Sequence, residues 1–210
     1  MFVLAVQDQQ TFPMKFALLT VALLGLSPLL PLENQWELKK DKDGIQVFTR
    51  KIEGSPMRAF RGEMDLATSL DKIESLFKDV VRFTEWSPGA KKVESLEEGA
   101  NSRTFYLQTE APWPVTDRDG IYQFNFVRAA GKLTITAKCL PEYLPPRKKH
   151  VRVPKSDGYW QFEEQAGGLI HIVYENHSEP GGSIPGWLAN SAVVNLPFES
   201  LQNLRQMVQK

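Results

Sequence analysis

The residues with the strongest claim to chemistry are the triplet Asp117-Arg118-Asp119, the histidines His171 and His177, and Tyr122 with Glu175. Two carboxylates around one guanidinium can tune a proton donor. Charges at a strand entrance also simply fix a turn by pairing with one another. The histidines stand six positions apart, without the one-residue spacing of a strand chelate and without further ligands at a recognisable interval, so no metal site is expected. Cys139 is the single cysteine, which rules out an intrachain disulfide and a multi-cysteine metal centre. A nucleophile elbow, a phosphate-cradling glycine loop and a dinucleotide fingerprint are all missing from the chain. No catalytic residue and no cofactor is therefore expected. Were the interior to host a reaction, Tyr122, His171 and Glu175 would be the acid–base candidates.

The elements that position these groups follow from hydrophobic period. Asp41-Lys42-Asp43-Gly44 reads as a tight hairpin turn between strands Trp36–Lys40 and Ile45–Ile52, because Asp-Gly supplies the positive φ such turns need. After Gly54-Ser55-Pro56 comes a strand from Arg58 to Asp65. Thr68 or Ser69 then caps a helix carrying Leu70, Ile73, Leu76, Phe77 and Val80 on one stripe. Strands are expected at Lys91–Leu96 and Arg103–Thr109, with the turn at Glu97-Glu98-Gly99. Gly120–Val127 and Leu133–Cys139 alternate apolar and polar residues around Ala130-Gly131, and Gly158–Glu163 meets Leu169–Asn176 at Gly167-Gly168. A last helix runs nearly to Lys210, with Trp187, Ser191, Val194, Phe198, Leu201 and Val208 on one face, Leu204 flanking it and Pro197 inside it. A proline there predicts a kink. The helix is either a lid over a curved sheet or an ordinary core helix. The fold class is α+β: an antiparallel meander with one helix inserted early and one long helix last.

Composition bounds the function. The 210 residues suit one domain, and 42% hydrophobic content with twelve Phe and five Trp describes a globular chain. Lys plus Arg equals Asp plus Glu at 25 each, which argues against a nucleic-acid partner. Residues 1–32 read as a secretory signal peptide, with Met14 as the better start: Met14-Lys15 precedes the apolar run Phe16–Leu26. An uncleaved anchor is the rival, although Pro28 and Pro31 interrupt the run at the short limit for spanning. Export to the periplasm or medium is the expectation, with residues 33–210 as the folded domain.

Two stretches carry a resemblance. Ala111-Pro112-Trp113-Pro114-Val115-Thr116-Asp117-Arg118-Asp119 and Pro180-Gly181-Gly182-Ser183-Ile184-Pro185-Gly186-Trp187-Leu188-Ala189-Asn190, together with Val151-Arg152 and Gly158-x-Trp160, resemble the START lipid-transfer family over about Trp36 to Lys210. The resemblance implies a helix-grip fold, in which a curved antiparallel sheet grips a long C-terminal helix around one lipid-sized apolar cavity. The terminal helix and a neighbouring loop would act as its gate. Sterol-binding members place an acid and an arginine inside the cavity; those positions fall at Phe105 and Phe124 here, which implies a more apolar cavity.

The expected lining is Phe105, Leu107, Tyr122, Phe124 and Phe126 from the strands and Trp187, Val194 and Phe198 from the helix. Large aromatics at alternating positions also simply make solid core, and the resemblance is what favours a cavity. Tyr122 adds a hydroxyl able to bond a head group. The loop after Cys139 is the expected gate and membrane contact, with Leu140, Tyr143 and Leu144 to insert and Arg147, Lys148 and Lys149 to attract head groups; its other reading is a solvated proline-rich loop. The expected partners are one lipid or other hydrophobic molecule and, transiently, a membrane surface, for a monomeric carrier that breaks no bonds. The alternatives are an enzyme of the helix-grip superfamily, cyclase or hydrolase, and a sensor whose cavity is vestigial.

Overall fold

A computed structural model describes residues 35–209; the expected signal segment lies outside the described residues. The first hairpin forms because Asp43 (φ 55°) and Gly44 (φ 71°) supply the two left-handed positions of a two-residue turn. It joins β1 (Glu37–Lys42) to β2 (Ile45–Arg50). β3 (Ala59–Ala67) follows. Ser69 then caps α1 (Leu70–Lys78), its hydroxyl accepting from the Lys72 amide at 3.3 Å. Leu70, Ile73, Leu76 and Phe77 bury the apolar stripe of α1. A 3₁₀ turn (Val80–Arg82) and the single-turn helix α2 (Phe83–Trp86) complete this insertion.

The meander continues with β4 (Ala90–Gly99), β5 (Ser102–Thr109), β6 (Arg118–Ala129) and β7 (Lys132–Cys139). The two-residue β8 (Val151–Arg152), β9 (Lys155–Gln165), β10 (Leu169–Glu179) and α3 (Gly186–Gln209) complete it. The turn expected at Glu97–Gly99 lies later, because β4 runs on through Gly99, paired with Ser102, and the chain turns at Ala100-Asn101. The strand order is β1-β2-β3-β10-β9-β7-β6-β5-β4, antiparallel along the path, with β8 parallel to β6 off it. The first and last parts of the chain thus meet at β3–β10, where Gly62 opposes Tyr174 and Met64 opposes Ile172.

Strict pleating gives the sheet two faces. The inner face carries Phe105, Tyr122, Phe124, Phe126, Leu133, Ile135, Trp160, Phe162, Ile170, Ile172 and Met64 against α1, α2 and α3. Within it Phe77 lies 5.2 Å from both Trp86 and Trp160 and 5.5 Å from Phe162, and Phe83 lies 5.5 Å from both Phe105 and Phe124. Such edge and tilted contacts add to the stabilisation from burial alone.

Helix α3 lies across β2 and β3. Its buried residues are Val193, Pro197, Phe198, Ser200, Leu201, Leu204 and Val208. Pro197 stands on this contact face and the helix runs through it as one element, set against Gly62 of β3. Polar ties hold only the C-terminal half. Asn203 donates to the Trp86 carbonyl (2.9 Å), Arg205 to the Asp43 carbonyl (2.9 Å), and Lys72 to the Val208 carbonyl. The Lys40 ammonium also sits 3.6 Å above the Phe198 ring. No side-chain hydrogen bond among the described residues ties Gly186–Leu196 to the sheet. Its only side-chain bond stays within the helix, from Asn195 to Ser191.

Candidate ligand site on the inner face

Cross-strand register divides the inner face in two. Towards α1, Leu133, Phe162, Ile172 and Met64 stand side by side in paired positions and are completely filled. Towards the start of β6, Phe124 pairs with Ala137 and Ala137 with Gly158; Asn176 takes the space over Gly158, so the small Ala137 is what leaves a trough between large residues. Around that trough Leu107, Tyr122, Ala137 and Tyr174 remain only partly buried, as does Val194 of α3. Gly120 shapes its wall: a Cβ there would lie 2.8 Å from the Tyr122 hydroxyl, so the Tyr122 ring leans back along β6 over the space a side chain would fill.

Tyr122 and Tyr174 are deep. Burial drives both phenols well above their ordinary range, with Tyr174 adding to the shift of Tyr122, so both stay protonated. Deep position with residual accessible surface means that these rings border a space inside the fold. Tyr174 stacks on Trp160 with ring centres 3.7 Å apart, and Tyr122 leans on Phe105 at 6.0 Å. Neither hydroxyl has a hydrogen-bond partner among the described residues.

The expected lining residues separate accordingly. Leu107, Tyr122 and Val194 border the trough. Phe105, Phe124, Phe126 and Phe198 are buried in the aromatic core, where Phe124 and Phe105 approach edge-on at 5.0 Å. Trp187 must be corrected: at 69% exposure in the first turn of α3 it points to solvent, because the inward stripe of the helix begins only at Val193. Sequence reasoning missed Tyr174, whose partner across the sheet comes from curvature and not from spacing.

The acid–base set is not assembled. Tyr122 faces inward, whereas the odd positions His171 and Glu175 of β10 face outward. There His171 pairs with Asp65 at 2.8 Å, and Glu175 accepts from the Tyr159 hydroxyl at 3.0 Å. Glu175 belongs to an outer-face hollow of about 480 Å³ that Arg50, Thr136, Tyr159 and His177 also line. Among the described residues no cluster of three potential metal ligands forms, and no helix is long and apolar enough to cross a membrane.

Asp117-Arg118-Asp119 is a structural hub. Asp119 is fully buried on the outer face and receives both ends of the Arg152 guanidinium at 3.0 Å. Burial alone would raise this carboxyl; the Arg152 bonds outweigh it and hold the pKa below the ordinary carboxylate range. Arg152 also donates to the carbonyls of Pro141, Leu144 and Pro145, which pins the loop after Cys139. Arg118 donates to the carbonyls of Thr116 and Gly181 and so ties the loop that carries Trp113 to the loop that leads into α3.

The expected gate loop is therefore anchored at its centre. Arg147 is not free to meet a membrane: it forms a forked pair with Glu94 (3.0 and 2.5 Å) and lies 3.6 Å above the Tyr106 ring. Leu140 and Leu144 are half-buried, while Tyr143, Lys148 and Lys149 are exposed. Beneath Arg147, the Tyr106 hydroxyl is buried without a partner. Tyr106→Phe removes an orphan donor and keeps the ring under the guanidinium. Urea denaturation should find the variant as stable as the parent or up to about 1 kcal/mol more so.

No family model matches the chain. An uncharacterized protein of Pseudomonas aeruginosa is 35% identical over 199 residues, 94% of this chain and 98% of that protein. Bovine phosphatidylcholine transfer protein is 23% identical over 168 residues, 76% of this chain and 78% of that protein. The crystal structure of a STAR-related lipid transfer protein from Xanthomonas axonopodis superposes with a TM-score of 0.78 at 40% identity, covering 83% of this chain and 99% of that one. Human STARD10 (TM-score 0.72, 19% identity) shares the fold over 83% of this chain and 73% of its own. With the helix-grip architecture and the relative from Xanthomonas in agreement, the chain belongs to the StAR-related (START) lipid transfer family.

Proposed function

We propose that this protein binds one hydrophobic molecule on the inner face between β5–β10 and the N-terminal half of α3, and carries it between membranes by sequestration, without bond chemistry. The observation that carries the reading is the incompletely filled trough around Leu107, Tyr122, Ala137 and Tyr174, roofed near Val194 in an otherwise closed aromatic core. A C16 chain costs about 13 kcal/mol to expose to water at ~0.8 kcal/mol per methylene, so a carrier must enclose it. The untied first half of α3 is the element free to admit it, since segments with few tertiary bonds open at low cost. Native mass spectrometry of the full chain, followed by solvent extraction, tests this: a stoichiometric lipid supports it. Failure to take up any apolar molecule saturably would reject it.

Contact with the donor membrane falls to the two loops joined by Arg118. The first presents Trp113 at 92% exposure, and the second leads into Trp187, in the first turn of the untied half of α3. Indole rings favour the head-group boundary of a bilayer. In a vesicle-to-vesicle assay, Trp113→Ala combined with Trp187→Ala is expected to slow transfer about tenfold or more, while Lys148→Ala with Lys149→Ala changes it less. Equal rates for parent and double tryptophan variant would remove this surface from the proposal. The proposal includes a monomeric carrier acting outside the cytoplasm, on the strength of the signal-like residues 14–26.

A further inference from the structure

We propose that Tyr122 and Tyr174 form a paired donor site for one neutral carbonyl oxygen, so that the ligand is a lipid whose ester or ketone sits deep in the trough, not one anchored there by a charged head group. The inference rests on the carrier reading above and adds the ligand's chemical class to it.

Two phenol hydroxyls that make no hydrogen bond among the described residues and keep accessible surface beside the trough call for an occupant that can accept from them. Both are inner-face residues bordering the same unfilled space. Tyr122 is turned over Gly120 and Tyr174 is fixed by its stack on Trp160. A carbonyl oxygen has two lone pairs and accepts two such donors at once. The inner-face neighbours of the pair that also border the trough, Leu107, Ala137 and Val194, are uncharged. Of the nearby ions, Asp119 is paired with Arg152 on the outer face, whereas the buried Arg118 donates to two backbone carbonyls, has no carboxylate within ion-pair distance among the described residues and leaves its Nε without a partner there. An ammonium group in the trough would be desolvated without a counter-charge, and an anion would have to compete with two backbone carbonyls for Arg118, whereas a carbonyl finds two donors already in place.

The test uses methyl palmitate labelled with ¹³C at its carbonyl, with hexadecane as a chain-length control and palmitate as the charged analogue. The full-length protein is expected to hold the ester more tightly than the alkane, with the bound carbonyl band shifted to lower frequency. Tyr122→Phe and Tyr174→Phe each keep the ring and should weaken ester binding about fivefold, leave hexadecane unchanged and return the band towards its free position. Retained hexadecane binding shows that the variants still fold around the cavity, a readout a merely structural tyrosine would not leave intact. A carbonyl band indifferent to both substitutions overturns the donor pair while leaving the carrier intact. So does tighter binding of palmitate that disappears in Arg118→Gln. If neither ester nor alkane is taken up saturably, the carrier reading fails and the donor pair falls with it.

Discussion

Replacing Arg152 with alanine is expected to destabilise the protein by about 3–5 kcal/mol, the range for stranding one member of a buried ion pair. The reason lies in what the guanidinium serves. It forks onto Asp119, whose side chain is completely buried, and it satisfies three carbonyls of the loop from Pro141 to Pro145. Its loss leaves a carboxylate in the interior without a counter-charge and that loop without its anchor. Asp119→Asn should cost less than Arg152→Ala, because it leaves a neutral amide able to accept one bond. The pH dependence follows in sign. The folded carboxyl of Asp119 lies below its unfolded value, so its contribution is complete above the unfolded carboxylate range and is lost as pH falls through the folded value. Chemical denaturation of parent and Asp119→Asn, compared at neutral pH and in acid, should therefore converge on acidification. Parallel stability curves, or an Arg152→Ala loss under 1 kcal/mol, would show that the pair is not what holds this edge of the sheet.

Gly62→Val should cost about 3 kcal/mol, the upper part of the range for overpacking a filled interface. Even a single Cβ at this position would stand 2.7 Å from Leu201 Cδ1 and 3.3 Å from Pro197 Cβ. Leu201 is wholly buried and cannot swing aside, and the ring of Pro197 has no freedom to yield. The helix must lift off β3, and with it the roof over the trough. Gly186→Ala is the control, since a Cβ there meets nothing within 4 Å and alanine favours a helix. Thermal unfolding should separate the two by about 6–12 °C for a domain of this size. Near-equal midpoints would mean that α3 rests on β3 more loosely than the contact implies.

The sequence reveals elements wherever one face is buried and the period is clean. Leu133, Ile135, Ala137 and Cys139 alternate with polar residues because only one side of β7 meets the core. The same logic reads α1 from its stripe and the first hairpin from Asp-Gly. What stays hidden is set by contacts between distant segments. Pro197 reads from the sequence only as a bend, and why a proline stands there shows only when Gly62 is brought beneath it, where its ring is an apolar surface that fits. The stripe on α3 reads too early, starting at Trp187, because periodicity cannot tell where a helix first meets its sheet. β8 is only two residues long, too short to carry a pattern, yet it delivers Arg152 to Asp119. Tyr174 alternates correctly with Ile170 and Ile172, but only the curvature of the four strands β10, β9, β7 and β6 brings it near Tyr122.

The placement of the tryptophans divides the protein's own light emission between its two tasks. Trp86 and Trp160 lie in the core, 6.2 Å apart, and Trp160 is in van der Waals stacking contact with a ring of the ligand trough. Trp113 stands exposed on one of the loops joined through Arg118 and Trp187 in the helical turn that follows the other, while the half-buried Trp36 lies 4.6 Å from Arg50 and belongs to neither group. Blue-shifted emission therefore comes from the interior and red-shifted emission from the exposed end, so that in the proposed carrier loading and landing would leave separate optical signatures in one unlabelled chain.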